Sequence, residues 1–173
     1  MNEAVPVTAA ASGWRWLPLA VVIILLDQLA KLWALSAFRE FEQLELLPVL
    51  DFTLMYNTGA AFSFLAGASG WQRWFFVILA LAVAAGITVW LRRLRAHDQA
   101  LLGCGLALIL GGAVGNVIDR LRLGKVVDFI HVHWNDAYFP AFNLADSAIT
   151  VGAGLLLLDA FLESRRAKLN RSP

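Results

Sequence analysis

Four stretches of this chain are too long and too apolar for a water-soluble fold. They run at about 17–38, 72–91, 100–119 and 141–162, and the middles of the second and third carry no charge. A helix rises 1.5 Å per residue, so about 20 apolar residues cross the hydrocarbon core of a bilayer. Each stretch meets that length. The whole chain is 60% hydrophobic and 16% charged, with a mean hydropathy of +0.67. Soluble domains are nearer half apolar and a quarter charged. The expected fold is an all-α membrane protein with four transmembrane helices, forming a single integral-membrane domain over 1–173. The first stretch holds Asp27 and Lys31 in its centre, and three more follow it, so it reads as a span rather than a cleaved leader. The lone Cys104 lies in the third stretch, which excludes a disulfide framework and a thiolate metal site. With a net charge of +1 and no basic patch interleaved with aromatics, no nucleic-acid partner is expected.

An even number of spans puts both termini on one side, and basic residues set which side. Arg15, Arg92, Arg93, Arg95, Arg165, Arg166, Lys168 and Arg171 fall on the terminal side. Arg39, Arg73, Arg120, Arg122 and Lys125 fall on the other, mixed with acids. Both ends are therefore expected in the cytoplasm, with the 39–70 and 119–140 loops outside. The alternation in VLDFTLMYN, Val49 to Asn57, adds a small extracytoplasmic region with extended strands.

This topology collects the ionisable groups at one pole. Asp128 lies in VVDFI and Asp146 in FNLADS, and the loop between them is long enough to fold back and bring them together. Two carboxylates in contact do not both ionise cheaply; they share a proton. One then acts as general base toward water while the other, protonated, polarises a carbonyl and later protonates the leaving amine. A carboxylate inside a spanning segment is costly and usually functional, which strengthens the reading of Asp146, whereas Asp128 also reads as a solvated loop acid.

Around this pair stand further polar residues. Asn143 and Asp146 are three apart, so Asn143 can donate to the Asp146 carboxylate or simply cap a helix that Pro140 would start. In GGAVGNVIDR, Gly111 and Gly115 give close helix approach. Asn116, Asp119 and Arg120 there point one way, with Arg120 free to pair with Asp119, a carbonyl or a lipid headgroup. YNTGAAFS, Tyr56 to Ser63, suits a turn or a strand that holds a peptide. Asp27 and Lys31 form an i,i+4 pair, either fixing the bundle or supporting the polar pole. His131 and His133 form an H-x-H, a weak metal-ligand pattern. A proton relay would spread its acids across the bilayer, which these do not; a structural subunit and a metal-dependent hydrolase remain as rivals.

The motifs resemble lipoprotein signal peptidase, or signal peptidase II. The matching pieces, in family order, are Asp27-Gln28 with Lys31, Asn57 through Ser63, Gly111 through Arg120, Val127 through Ile130, and Phe142 through Ser147. The resemblance implies an aspartic endopeptidase of the bacterial inner membrane, working without cofactor or metal and inhibited by globomycin. It would remove signal peptides from prolipoproteins carrying a diacylglyceryl-Cys, cutting on the N-terminal side of that Cys. It places catalytic roles on Asp128 and Asp146 and supporting roles on Asp27, Asn57, Asn116, Arg120 and Asn143. Prolipoproteins and membrane lipids are the implied partners of a monomer whose site faces the periplasm; His131 and His133 stay unassigned.

Overall fold

Small residues decide the arrangement of the bundle. The structure, a computed structural model, describes residues 12–59, 67, 69–94, 99–135 and 137–169. Its helices are α1 (Leu17–Ala37), α2 (Trp71–Arg93), α3 (Ala100–Leu123) and α4 (Leu144–Leu169), and all four are long and apolar enough to cross a membrane. In α3, 67% of the apolar stretch is buried, against 17–22% in the other three, so α3 is the axis. Its buried positions include Gly103, Gly105, Ala107, Gly111, Gly112, Ala113 and Gly115. Lipid is as apolar as leucine, so packing rather than hydrophobicity draws spans together, and small residues permit the closest packing.

The two seams of α3 are distinct. Gly111 and Gly115 face α1: an added Cβ would lie 2.8 Å from the Ala20 carbonyl oxygen at one and 2.6 Å from Asp27 Oδ2 at the other. Gly105 and Gly112, seven apart, face α4, where the corresponding distances are 2.8 Å to the Gly152 oxygen and 2.3 Å to the Ala145 oxygen. Large side chains such as Leu25, Leu29, Ile78, Leu79 and Leu157 stand exposed on the outer faces of α1, α2 and α4, where lipid tails would cover them.

Both helix ends that frame the polar pole differ from the hydropathy boundaries. α3 runs on to Leu123, so Asp119 and Arg120 are helical rather than in a loop. It stops where Gly124 adopts φ +77° and donates its N–H to the Arg120 carbonyl, a left-handed C-terminal cap. α4 begins at Leu144, not near 141, and Pro140 therefore lies ahead of the helix instead of opening it.

Over this pole lies a four-stranded antiparallel sheet in the order β1 (Gln43–Leu47), β2 (Leu50–Asn57), β3 (Val126–Trp134) and β4 (Ala137–Tyr138). β1 and β2 come from the first loop, as the alternation there suggests. β3 and β4 come from the second. The β2–β3 register sets Met55 opposite Asp128 and Asn57 opposite Val126.

Replacing Gly112 with Ala drives a methyl into the α4 backbone and should cost about 1–3 kcal/mol of stability. Gly154→Ala, with no atom within 4 Å of the added Cβ, is the matched control. Thermal unfolding in detergent should show a lowered midpoint for the first and none for the second.

Candidate active site

The base of the site is an ammonium with no access to water. Asp27 and Lys31 share the face of α1 that meets α3, and their side chains are 0% and 2% exposed. Lys31 Nζ lies 2.9 Å from Asp27 Oδ2, 2.9 Å from Asp119 Oδ2 and 2.9 Å from Asn116 Oδ1. An ammonium has three N–H donors, and all three are used. Each carboxylate passes the tie onward. Asp27 Oδ1 accepts the N–H of Ala145 at 2.9 Å, one of the orphan donors at the start of α4. Asp119 Oδ2 accepts the N–H of Val127 at 3.1 Å, and its Oδ1 accepts from Gln28 at 3.0 Å.

Above this cluster the 139–142 segment returns along β3. The N–H groups of Phe129 and Ile130 donate to the Phe142 carbonyl at 3.0 and 2.9 Å, and the N–H of Phe142 donates to the Ile130 carbonyl at 3.0 Å. The next residue, Asn143, is thereby held beside Asp128. Its side-chain amide nitrogen lies 2.7 Å from Asp128 Oδ1, 3.2 Å from the Val127 oxygen and 3.3 Å from Asn116 Oδ1. Its side-chain oxygen accepts the N–H of Asp146 at 2.9 Å, while Asp146 Oδ2 faces the N–H of Asn143 at 3.4 Å. This reciprocal pair is a capping box. Asn143 thus caps α4, one of the two roles its spacing allows, while its side-chain amide donates to Asp128 and not to Asp146. The amide that donates to Asp146 Oδ1, at 2.8 Å, belongs to Asn116.

Asp128 is 3% exposed. Burial, and after it the charge of Asp146, raise its carboxyl to about 7, against the opposing pull of hydrogen bonds from Asn143 and Asn57 and the charge of Lys31. Arg120 stands within electrostatic reach of Asp146, Asp128 and Asp119. Its guanidinium pairs with none of them directly: it donates to the Gly59 carbonyl at 2.7 Å and the Asn116 carbonyl at 3.4 Å, and lies over the Phe76 ring. It ties the end of the β2 segment to α3. Beside these groups opens a cavity of about 780 Å³ lined by Arg120, Phe139, Pro140, Phe142, Asp146 and the Ile149–Val151 face of α4. One wall is the two charged side chains; the rest is mostly apolar, with Ser147 and Thr150 the polar exceptions.

The structure therefore brings Asp27, Asn57, Asn116, Arg120, Asp128, Asn143 and Asp146 to one pole. His131 and His133 lie apart, on the sheet: both rings stack on Tyr138, with centroids at 5.0 and 5.1 Å, and His133 Nε2 is 3.4 Å from Asp51. Burial holds the His131 imidazole below its usual range. Ala60 to Ser63 lie outside the described residues. Residue spacing did not show that Asp119 joins Lys31. A partial signal was present, since Asp119 shares a helix face with Asn116 and an ammonium inside a span has donors to satisfy beyond the one that Asp27 takes.

Four spans around a glycine-rich axis, with carboxylates and an apolar cavity at one end, define a polytopic membrane enzyme. A solved structure of a bacterial membrane enzyme, determined by the in meso method at 2.3 Å, superposes with a TM-score of 0.79 at 29% identity, covering 92% of this chain and 94% of that one. Residues 19–162 match the family described as signal peptidase (SPase) II. Lipoprotein signal peptidases of Shewanella pealeana and Pseudomonas fluorescens are 50% and 54% identical, over 91% and 86% of this chain and 92% and 87% of theirs. The Pseudomonas aeruginosa relative is 55% identical, over 84% of this chain and 87% of its own length. The chain belongs to the signal peptidase II family of membrane proteases.

Because folding raises the Asp128 carboxyl, its protonated form belongs to the folded state. That stability is full below the unfolded value of 3.8 and is lost as pH rises through about 7. Asp128→Asn removes the titration. The variant's melting temperature relative to the parent should be unchanged near pH 4 and climb toward pH 8, by an equivalent of at most roughly 4 kcal/mol. Scanning calorimetry across pH measures the difference.

Proposed function

We propose that this protein removes the signal peptide from diacylglyceryl-modified prolipoproteins, cutting on the N-terminal side of the lipidated Cys with water activated by Asp128 and Asp146. The observation that carries the reading is the single amide of Asn143, which donates to Asp128 and caps the helix bearing Asp146, so that a buried and a half-buried carboxylate share one corner. In the resting enzyme the proton sits on Asp128, the deeply desolvated partner. Asp146 then takes a proton from water as it attacks the scissile carbonyl. Asp128 donates to the carbonyl oxygen, and the tetrahedral intermediate collapses as a proton passes to the leaving amine. No covalent intermediate is needed.

The cavity suits such a substrate. Acyl chains gain about 0.8 kcal/mol per buried CH₂, which holds the lipidated Cys at membrane depth beside the apolar α4 wall. Arg120, at the polar end of that cavity, offers donors to a peptide carbonyl or an ester oxygen. The chain acts as one domain over residues 1–173 in the bacterial inner membrane, as a monomer surrounded by lipid, with both termini cytoplasmic and the site periplasmic.

The test is processing of a diacylglyceryl-modified precursor, followed as a mobility shift on a gel. Asp128→Asn and Asp146→Asn enzymes should insert normally and cut at least ~10³-fold more slowly. Substantial processing by either variant rules the dyad out.

A further inference from the structure

We propose that Lys31 is a positioning residue for this dyad: its donors fix which way the Asn116 amide points, and so present a donor to the Asp146 carboxylate. The inference rests on the dyad reading above.

The argument turns on one asymmetry. An amide side chain has a donating and an accepting end, and either could in principle face Asp146. Lys31 can only donate. Its Nζ, 2.9 Å from Asn116 Oδ1, therefore requires the oxygen of that amide, and so leaves the Nδ2 end for Asp146 Oδ1 at 2.8 Å. The Asn143 amide nitrogen, 3.3 Å from the same Asn116 oxygen, agrees with this sense. Asp146 Oδ1 is thereby held as an acceptor toward Asn116, as Asp128 Oδ1 is toward the Asn143 amide at 2.7 Å. The chain Lys31, Asn116, Asp146 thus has one direction, set from a buried ammonium that touches no substrate.

Lys31 is itself held in place. Asp27 from α1 and Asp119 from α3 occupy its other two donors, so it cannot turn away from Asn116. The charged groups facing this corner are Asp27 and Lys31 from α1, Asp119 and Arg120 from α3, Asp128 from β3 and Asp146 from α4. Among these, the positive charge of Lys31 holds the Asp128 carboxyl down from where burial would put it. Lys31 therefore sets both the direction of the hydrogen-bond chain and the pH range in which Asp128 keeps its proton.

Lys31→Met should lower kcat at least tenfold with little change in KM. It should also move the alkaline limb of the kcat–pH profile upward by about one unit, because Asp128 then holds its proton longer. Lys31→Arg, which keeps a donor and the charge, should return that limb toward the parent position. A Lys31→Met enzyme with parental kcat and parental limb overturns the proposal. If Lys31→Met does not accumulate in the membrane, Asn116→Asp decides: it leaves Lys31 with a carboxylate to bind but offers Asp146 no donor. A parental kcat there also overturns the proposal. These outcomes separate from failure of the dyad itself, which would appear as active Asp128→Asn or Asp146→Asn enzyme.

Discussion

The buried ammonium of Lys31 is the interaction on which the polar pole is built. Charge inside a span is expensive, and removing one partner from a buried pair typically costs 3–5 kcal/mol. Here the expense is offset by complete pairing, with three donors on three acceptors from two helices. The two carboxylates do more than neutralise it. Asp27 holds the N–H of Ala145 at the start of α4, and Asp119 holds that of Val127 at the start of β3. The element bearing Asp146 and the element bearing Asp128 are thus fastened to one ion cluster. Their separation is set by it and not by a flexible loop.

The bundle below needs no such device. α3 meets α1 and α4 backbone to backbone, through glycines that leave no room for a Cβ, and the bulky side chains turn outward to lipid. Packing fixes the helices; polar contacts fix the corner they enclose. The division has a chemical consequence. Asp128 sits where water is excluded, and its proton is retained up to about neutrality, whereas Asp146 opens onto an apolar cavity at the mouth of the bundle. A pair of carboxylates in unequal surroundings is the arrangement that separates acid from base.

Much of this was readable from residues alone, and the rest was hidden for physical reasons. Hydropathy located the four spans because bilayer thickness leaves little freedom. It misplaced the ends that matter most: α3 continues through Asp119 and Arg120 to a glycine cap, and α4 waits for the Asn143–Asp146 box. Helix ends depend on caps, which hydropathy does not weigh. The strand carrying Asp128 was not foreseen either, since its partner is β2, some 70 residues earlier, and cross-strand pairing leaves no local mark. The seven polar residues singled out do gather at one pole, but the side-chain amide that donates to Asp146 is that of Asn116, Asn143 giving Asp146 only its backbone N–H. An amide three residues away competes with one on a neighbouring helix, and only the fold shows which prevails. Arg120 likewise took carbonyls, leaving Asp119 to Lys31.

The central claim is that two neighbouring carboxylates hold one proton between them near neutrality, with Asp128, the buried member, carrying it. Infrared difference titration of the protein in lipid nanodiscs reads it directly, through the carbonyl stretch of a protonated carboxyl. A single band that loses intensity as pH passes about 7, and that is missing or displaced in both Asp128→Asn and Asp146→Asn proteins, is the predicted result. A neutral-range band that disappears in one variant and stays untouched in the other would contradict the account.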